Sequence, residues 1–141
     1  MCSAKCTLCA FRRDADDDDS YTLEYGAILD KIAELHAIGG TQILMQGGLV
    51  PADGPEGLGF EWYLDLMRFI RKNYPQIHIH AFSPPEIFAF HQLFDMPIRD
   101  VLLRLQEAGL DTVPGGGGEI LVDRVRQRIA QGKTLAHEWL A

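Results

Sequence analysis

Short strand-like segments alternate with longer helix-like segments along the chain, and this order restricts the fold more than any other feature. Each strand-like segment is followed by apolar residues at helical spacing. Such alternation predicts parallel βα units and therefore an α/β fold. The strand-like segments are 41–46, 76–82 and 110–113, and the predicted units cover about 41–73, 76–108 and 110–130.

Three strands cannot close a barrel, and an open sheet of this size would leave much apolar surface uncovered. We therefore expect residues 1–141 to form part of a larger TIM-like barrel, whose first strand and later strands lie outside this sequence. A small, self-contained three-stranded α/β domain is the alternative.

Composition excludes two classes of partner. The net charge is -7 and the pI about 5.1, and no basic stripe is present, so we expect no nucleic-acid binding. No apolar run approaches the roughly 20 residues that span a membrane, and the first residues do not resemble a signal peptide. The expected location is cytoplasmic. The acidic run at 14–19 is expected to be a solvated loop rather than a cation site.

All three cysteines of the chain, Cys2, Cys6 and Cys9, lie in a loop that we place at residues 1–13. An odd number packed this closely is not a disulfide framework and favours a metal or redox centre. Three thiolates could each bind one iron of a 4Fe-4S cluster and leave the fourth iron open. Zinc is the main rival, although it usually takes a fourth protein ligand that is missing nearby. Incidental thiols are the third possibility.

Side-chain alternation places polar residues together on one face of two strands. His78 and His80 share a face with Phe82, opposite a row of apolar residues, and Gln42 shares one with Gln46. The apolar faces suit packing against helices, so the mixed faces are predicted to line the barrel interior. There the histidines would hydrogen-bond a substrate or a buried network rather than a metal.

Glycines end one strand and precede the last helix. Gly47 and Gly48 would let the backbone approach a ligand closely, although a plain strand-to-loop turn is the alternative. The run Gly115–Gly118 could bind an anion through its backbone amides. Glu119 after it is either a ligand or an ordinary first-turn acid of a helix.

The spacing CxxxCxxC, followed by Ala10 and Phe11, resembles that of radical S-adenosylmethionine (SAM) enzymes. Longer segments resemble the cyclic dehypoxanthine futalosine synthase family of menaquinone biosynthesis. The matching segments are 39–49, 77–87, 113–121 and 123–126. The related aminofutalosine and deazaflavin-cofactor synthases share the cysteine loop and the glycine-rich segment. The amino-acid sequences of segments 39–49 and 77–87 fit the cyclase better.

The resemblance implies a partial barrel in which a 4Fe-4S cluster binds SAM through its open iron. One electron, from a donor such as flavodoxin or ferredoxin, would cleave SAM to a radical that abstracts hydrogen from a nucleoside-derived small molecule. In the cyclase family that substrate is dehypoxanthine futalosine. A truncated remnant without activity, and a small zinc-binding module, are the alternatives.

The resemblance also implies residue roles, although Leu8 stands where the family usually has an aromatic residue. The implied metal ligands are Cys2, Cys6 and Cys9. The implied cofactor-binding residues are Leu8, Phe11, Gln46, Gly47, Gly48, Ser83 and Glu119. The implied substrate-binding residues are Gln42, His78, His80 and Glu86. The sequence identifies no proton acceptor.

Overall fold

The structure, a computed structural model, describes residues 1–49, 58–116, 118, 120–131 and 135–136. Helices and strands alternate through the middle of the chain, as predicted. The helices are α1 (Tyr25–Ala37), α2 (Phe60–Asn73), α3 (Pro84–Leu93), α4 (Ile98–Ala108) and α5 (Asp123–Ile129). The strands are β1 (Lys5–Cys6), β2 (Gln42–Met45), β3 (His78–Ala81) and β4 (Ala130–Gln131).

β2 and β3 form the predicted parallel pair, in which Gln42 lies beside His78 and Leu44 beside His80. The strand predicted at 110–113 is reduced to one parallel bridge between His80 and Thr112. The cause is Asp111, whose carboxylate accepts the Ile79 N–H at 2.7 Å in place of a backbone carbonyl. The sheet therefore has the expected direction but a third segment of minimal length.

The core lies between this sheet and the helices. The apolar face of β3 is buried completely, as predicted, since Ile79 and Ala81 are 0% exposed. Helix α2 buries Leu64, Met67 and Ile70 against it, at positions three apart along one face of the helix. Helix α4 packs on both α2 and α3. The opposite face of the sheet is open in the described chain, and Leu44 is 64% exposed there.

Phe82 corrects the predicted alternation. Its backbone has a φ of 59°, the left-handed region that non-glycine residues rarely adopt. This conformation turns the ring away from the histidine face and into the core, where Phe82 is 4% exposed. Its ring lies 5.9 Å from that of Tyr63 and 5.4 Å from that of Phe90.

The cysteine loop and the end of the described chain are joined in a way that the sequence did not predict. β1 pairs with β4 in antiparallel fashion, with Cys6 beside Ala130. Helix α5, predicted from residue 119, begins at Asp123 after the extended residue Val122, and Arg126 donates hydrogen bonds to the carbonyls of Gly118 and Ile120. None of the helices in the described part of the chain has the length and apolar character required to span a membrane.

Candidate functional site

A buried carboxylate joins the ends of the two parallel strands. The Gly47 N–H, just after β2, donates to Glu86 Oε1 at 2.9 Å. The N–H and the hydroxyl of Ser83, just after β3, donate to Glu86 Oε2 at 2.8 and 2.6 Å. Glu86 is only 4% exposed, and it is the third residue of α3 and the last of the capping box that begins at Ser83. Both carboxylate oxygens therefore accept hydrogen bonds from the chain itself.

The glycine-rich loop lies against the same strand ends. A Cβ added at Gly116 would lie 3.5 Å from the Cβ of Ser83 and 3.7 Å from Nε2 of Gln46. Arg126, 2% exposed, donates to the Gly118 carbonyl at 2.7 Å and so fixes the far side of the loop. The predicted roles of Gly117 and Glu119 lie outside the described residues.

Cys2 docks on the end of β2. The Leu49 N–H donates to Cys2 Sγ at 3.2 Å, and the Ser3 N–H donates to the Leu49 carbonyl at 2.7 Å. Gly48 has a φ of +80°, and a Cβ added there would lie 3.0 Å from Cys2 Cβ and 3.1 Å from its Sγ. Close contact between the cysteine loop and the Gly47–Gly48 turn therefore depends on the absence of a side chain at Gly48. The sequence suggested the glycines but not this contact.

The rest of the cysteine loop is less covered. Cys6 lies in β1, the Cys9 N–H donates to the Cys6 carbonyl at 3.2 Å, and Cys9 is exposed. Leu8 and Phe11, the predicted cofactor contacts, are 72% and 90% exposed. The three cysteines form no disulfide with one another.

The donor set suits an iron–sulfur cluster, because three soft thiol ligands belong to one short loop. The close contact with Gly48 places Cys2 at the carboxyl end of the parallel strand β2, where barrel folds bind their ligands. Among the described residues, no three His, Cys, Asp or Glu side chains are arranged to hold a metal ion as they stand. Cys6 and Cys9 would therefore need to move relative to Cys2 to share one cluster.

The predicted histidine face carries a connected polar chain. His78 Nε2 and His80 Nδ1 lie 2.8 and 2.6 Å from the hydroxyl oxygen of Thr112. Gln42 and Leu44, beside them on β2, are exposed. The sequence did not indicate Thr112, because its segment showed only a short strand signal.

Asp111 adjoins this chain at the His78 end. Its Oδ2 lies 2.6 Å from Arg71 Nη2, 2.7 Å from the Ile79 nitrogen and 3.9 Å from His78 Nδ1. Burial alone would raise the pKa of Asp111, but the hydrogen bonds from Ile79 and Arg71 outweigh it and lower that pKa below its ordinary value. Asp111 is therefore a carboxylate at neutral pH.

Tyr63 is a buried phenol close to Glu86. It is 7% exposed, and its hydroxyl has no hydrogen-bond partner among the described residues. Burial, and to a lesser degree the charge of Glu86, raises the pKa of Tyr63 to about 12. No sequence signal distinguished this tyrosine from an ordinary core aromatic.

Comparisons with known proteins point to the same superfamily as the cysteine spacing. The family model described as the radical SAM superfamily matches residues 1–141. A 5-amino-6-(D-ribitylamino)uracil–L-tyrosine 4-hydroxyphenyl transferase of Gloeobacter violaceus is 43% identical over 141 residues, which are 99% of this chain and 36% of that protein. The protein of the same name from Thermosynechococcus vestitus is 44% identical over 140 residues, again 99% and 36% of the two chains.

A cyclic dehypoxanthine futalosine synthase of Halalkalibacterium halodurans is 40% identical over 140 residues, with the same shares of 99% and 36%. The chain thus spans about a third of the length of these curated relatives. Identities of 40%, 43% and 44% are too close to separate the two named activities.

Proposed function

Since this chain belongs to the radical SAM superfamily, we propose that it forms the part of a radical SAM enzyme that binds a 4Fe-4S cluster and SAM. The observation that carries the proposal is the docking of Cys2 on Gly48 at the carboxyl end of β2. Cys2, Cys6 and Cys9 would hold the cluster. When bound, the cluster would supply the electron that cleaves SAM to a substrate-activating radical.

The strand ends would bind SAM. Gln46 and Gly47 are exposed at the end of β2, so the Gln46 side-chain amide is accessible to a ligand there. Ser83 and Glu86 are buried and bonded to each other, and they would hold this surface in shape. The exposed outer part of the cysteine loop, with Leu8 and Phe11, would close over the bound cofactor.

The open face of the sheet would receive the substrate. Gln42, His78 and His80 offer hydrogen-bonding groups there without a helix covering them in the described chain. The first candidate reaction is conversion of dehypoxanthine futalosine to its cyclic form, which the long matching segments favour. The second is transfer of the 4-hydroxyphenyl group of L-tyrosine to 5-amino-6-(D-ribitylamino)uracil, which relatives at 43% and 44% identity favour.

The cluster proposal is tested on the full-length protein, reconstituted anaerobically with iron and sulfide and reduced with dithionite. We expect about four irons per chain by the cluster stoichiometry, and release of 5'-deoxyadenosine from SAM. Cys2→Ala, Cys6→Ala and Cys9→Ala should each lose both. Ser3→Ala, a matched control in the same loop that leaves every backbone hydrogen bond in place, should keep both. Zinc instead of iron in protein purified without oxygen would refute the proposal.

The substrate is identified by adding each candidate to the reconstituted enzyme with SAM. Product formed from dehypoxanthine futalosine alone supports the cyclase, and product formed only from the aminouracil with L-tyrosine supports the transferase. SAM cleavage without either product would exclude both substrates while leaving the cluster proposal standing.

A further inference from the structure

On the open face of the sheet, Thr112 links His78 and His80, and the hydrogen-bond partners of these residues decide which atoms donate and which accept. Two of the four imidazole nitrogens of His78 and His80 lie within 2.8 Å of one oxygen, Thr112 Oγ1. A hydroxyl has one proton to donate and two lone pairs that accept. The protonation of one ring can therefore fix that of the other through Thr112.

Asp111 sets the direction at one end. Its carboxylate is held by Arg71 and the Ile79 N–H, and it lies 3.9 Å from His78 Nδ1. A nearby negative charge favours the tautomer that carries its proton on the facing nitrogen, as carboxylates do for catalytic histidines. In that tautomer, His78 would carry a proton on Nδ1 and a lone pair on Nε2.

Thr112 connects the protonation of His78 to that of His80. The lone pair on His78 Nε2 accepts the Thr112 O–H, so the hydroxyl oxygen is left to accept from the other ring. With His78 in that tautomer, His80 would carry its proton on Nδ1, at 2.6 Å from that oxygen. His80 Nε2 consequently has a lone pair, on a residue that is half-buried at the open face.

We propose that His80 Nε2 is the proton acceptor of the reaction, and that Thr112, His78 and Asp111 are positioning residues that keep it in the basic tautomer. The proposal rests on the proposed function. In the step, an X–H bond of the substrate breaks, its electron pair stays on X, and the proton bonds to His80 Nε2. The imidazolium releases that proton to solvent, so the step needs no oxidant or further reactant.

The residues beside the two histidines on β2 are uncharged. The residue beside His80 on β2 is Leu44, which carries no charge, and Gln42 beside His78 is neutral. Asp111 and Arg71 pair with each other at the His78 end of these polar groups. When Nε2 of His80 takes up a proton, its Nδ1–H would still donate to Thr112.

The first test measures the tautomers directly. Nitrogen chemical shifts of the two rings are recorded by NMR in full-length protein labelled with ¹⁵N-histidine, with His78→Gln and His80→Gln used for assignment. We expect the proton on Nδ1 of both rings, and Thr112→Val should release His80 from that state. A proton on Nε2 of His80 in the wild type, or an unchanged His80 in Thr112→Val, would overturn the proposal.

The second test follows catalysis in the reconstituted enzyme with the two candidate substrates. His80→Gln should lower product formation by at least about 100-fold, the usual contribution of a general base, while uncoupled release of 5'-deoxyadenosine continues. Thr112→Val should lower it by about tenfold and shift the pH profile, and Thr112→Ser, which keeps the hydroxyl, should restore both. Product formation by His80→Gln within a few-fold of wild type would refute the base. A wild type that does not cleave SAM would refute the proposed function instead, and the NMR result would still stand.

Discussion

Substitution of Gly48 by alanine should prevent the cysteine loop from docking on β2. The added methyl group would lie 3.0 Å from Cys2 Cβ and 3.1 Å from Cys2 Sγ, closer than such carbon atoms normally approach. The backbone at Gly48 also has a φ of +80°, which alanine adopts at a cost. Both effects disfavour the observed position of Cys2.

The magnitude follows from two contributions, the backbone conformation and a lost hydrogen bond. The left-handed conformation costs alanine roughly 1–2 kcal/mol. Cys2 cannot yield freely, because its N–H donates to the Arg13 carbonyl at 2.9 Å and the neighbouring Ser3 N–H donates to Leu49 at 2.7 Å. Loss of one such bond costs about 1 kcal/mol. We therefore expect Gly48→Ala to lower the free energy of unfolding by about 2–3 kcal/mol if the loop stays docked, and by less if it detaches.

Gly47→Ala is the matched control. The nearest atom to its added Cβ is Glu86 Oε1 at 4.0 Å, which is open space for a methyl group. Urea unfolding measures stability, and iron content with cluster absorbance after anaerobic reconstitution measures docking of Cys2. We expect Gly47→Ala to keep its stability and its iron, whereas Gly48→Ala loses one or both. Equal stability and equal iron in the two variants would refute the reasoning.

Three further substitutions, at Tyr63, Glu86 and Asp111, are tested by urea unfolding. Tyr63→Phe removes a hydroxyl without a described partner and should stabilise the fold by about 1 kcal/mol at pH 7. The wild type should also lose stability as the pH rises from 10.0 towards about 12, a loss that the variant escapes. Glu86→Gln should destabilise by about 2 kcal/mol, because an amide cannot accept from Gly47 and Ser83 together, and it should lower the pKa of Tyr63, measured by ultraviolet titration. Asp111→Asn should cost about 1 kcal/mol at pH 7 after allowance for solvent screening. That cost should disappear as the pH falls below 3.8 through the lowered pKa of Asp111, and a constant difference across acid pH would contradict its assigned charge.

The sequence predicted the elements whose signals are local. Helix α2 ends at Asn73 and helix α4 at Ala108, where the predicted units 41–73 and 76–108 end. The strand predicted at 110–113 is reduced to one bridge because the Asp111 side chain accepts the hydrogen bond from the Ile79 N–H that a backbone carbonyl would otherwise accept. The predicted side-chain direction of Phe82 was wrong because its left-handed backbone reverses that direction, and the sequence pattern of the strand does not reveal this conformation.

Residues of the candidate site were named from the sequence, but their arrangement was not. Gly48, Ser83 and Glu86 were all named from the sequence, yet their contacts join segments far apart in the chain and depend on parallel pairing of β2 with β3. The Ser83-to-Glu86 spacing is that of a capping box, so the signal for the bond within α3 was present. No comparable signal marked the bond from Gly47 to the same carboxylate, or the docking of Cys2 on Gly48.

These contacts connect the first turn of α3 to the cysteine loop, although the two segments are far apart in the sequence. Glu86 fixes the Gly47 N–H, and the next residue, Gly48, forms the surface against which Cys2 packs. The Glu86 carboxylate can reach both strand ends only while Ser83 and Gly47 stay side by side, which the parallel register of β2 and β3 enforces. A change at Glu86 is therefore transmitted to Cys2 through two backbone residues, whereas a change on the solvent face of α3 has no such route.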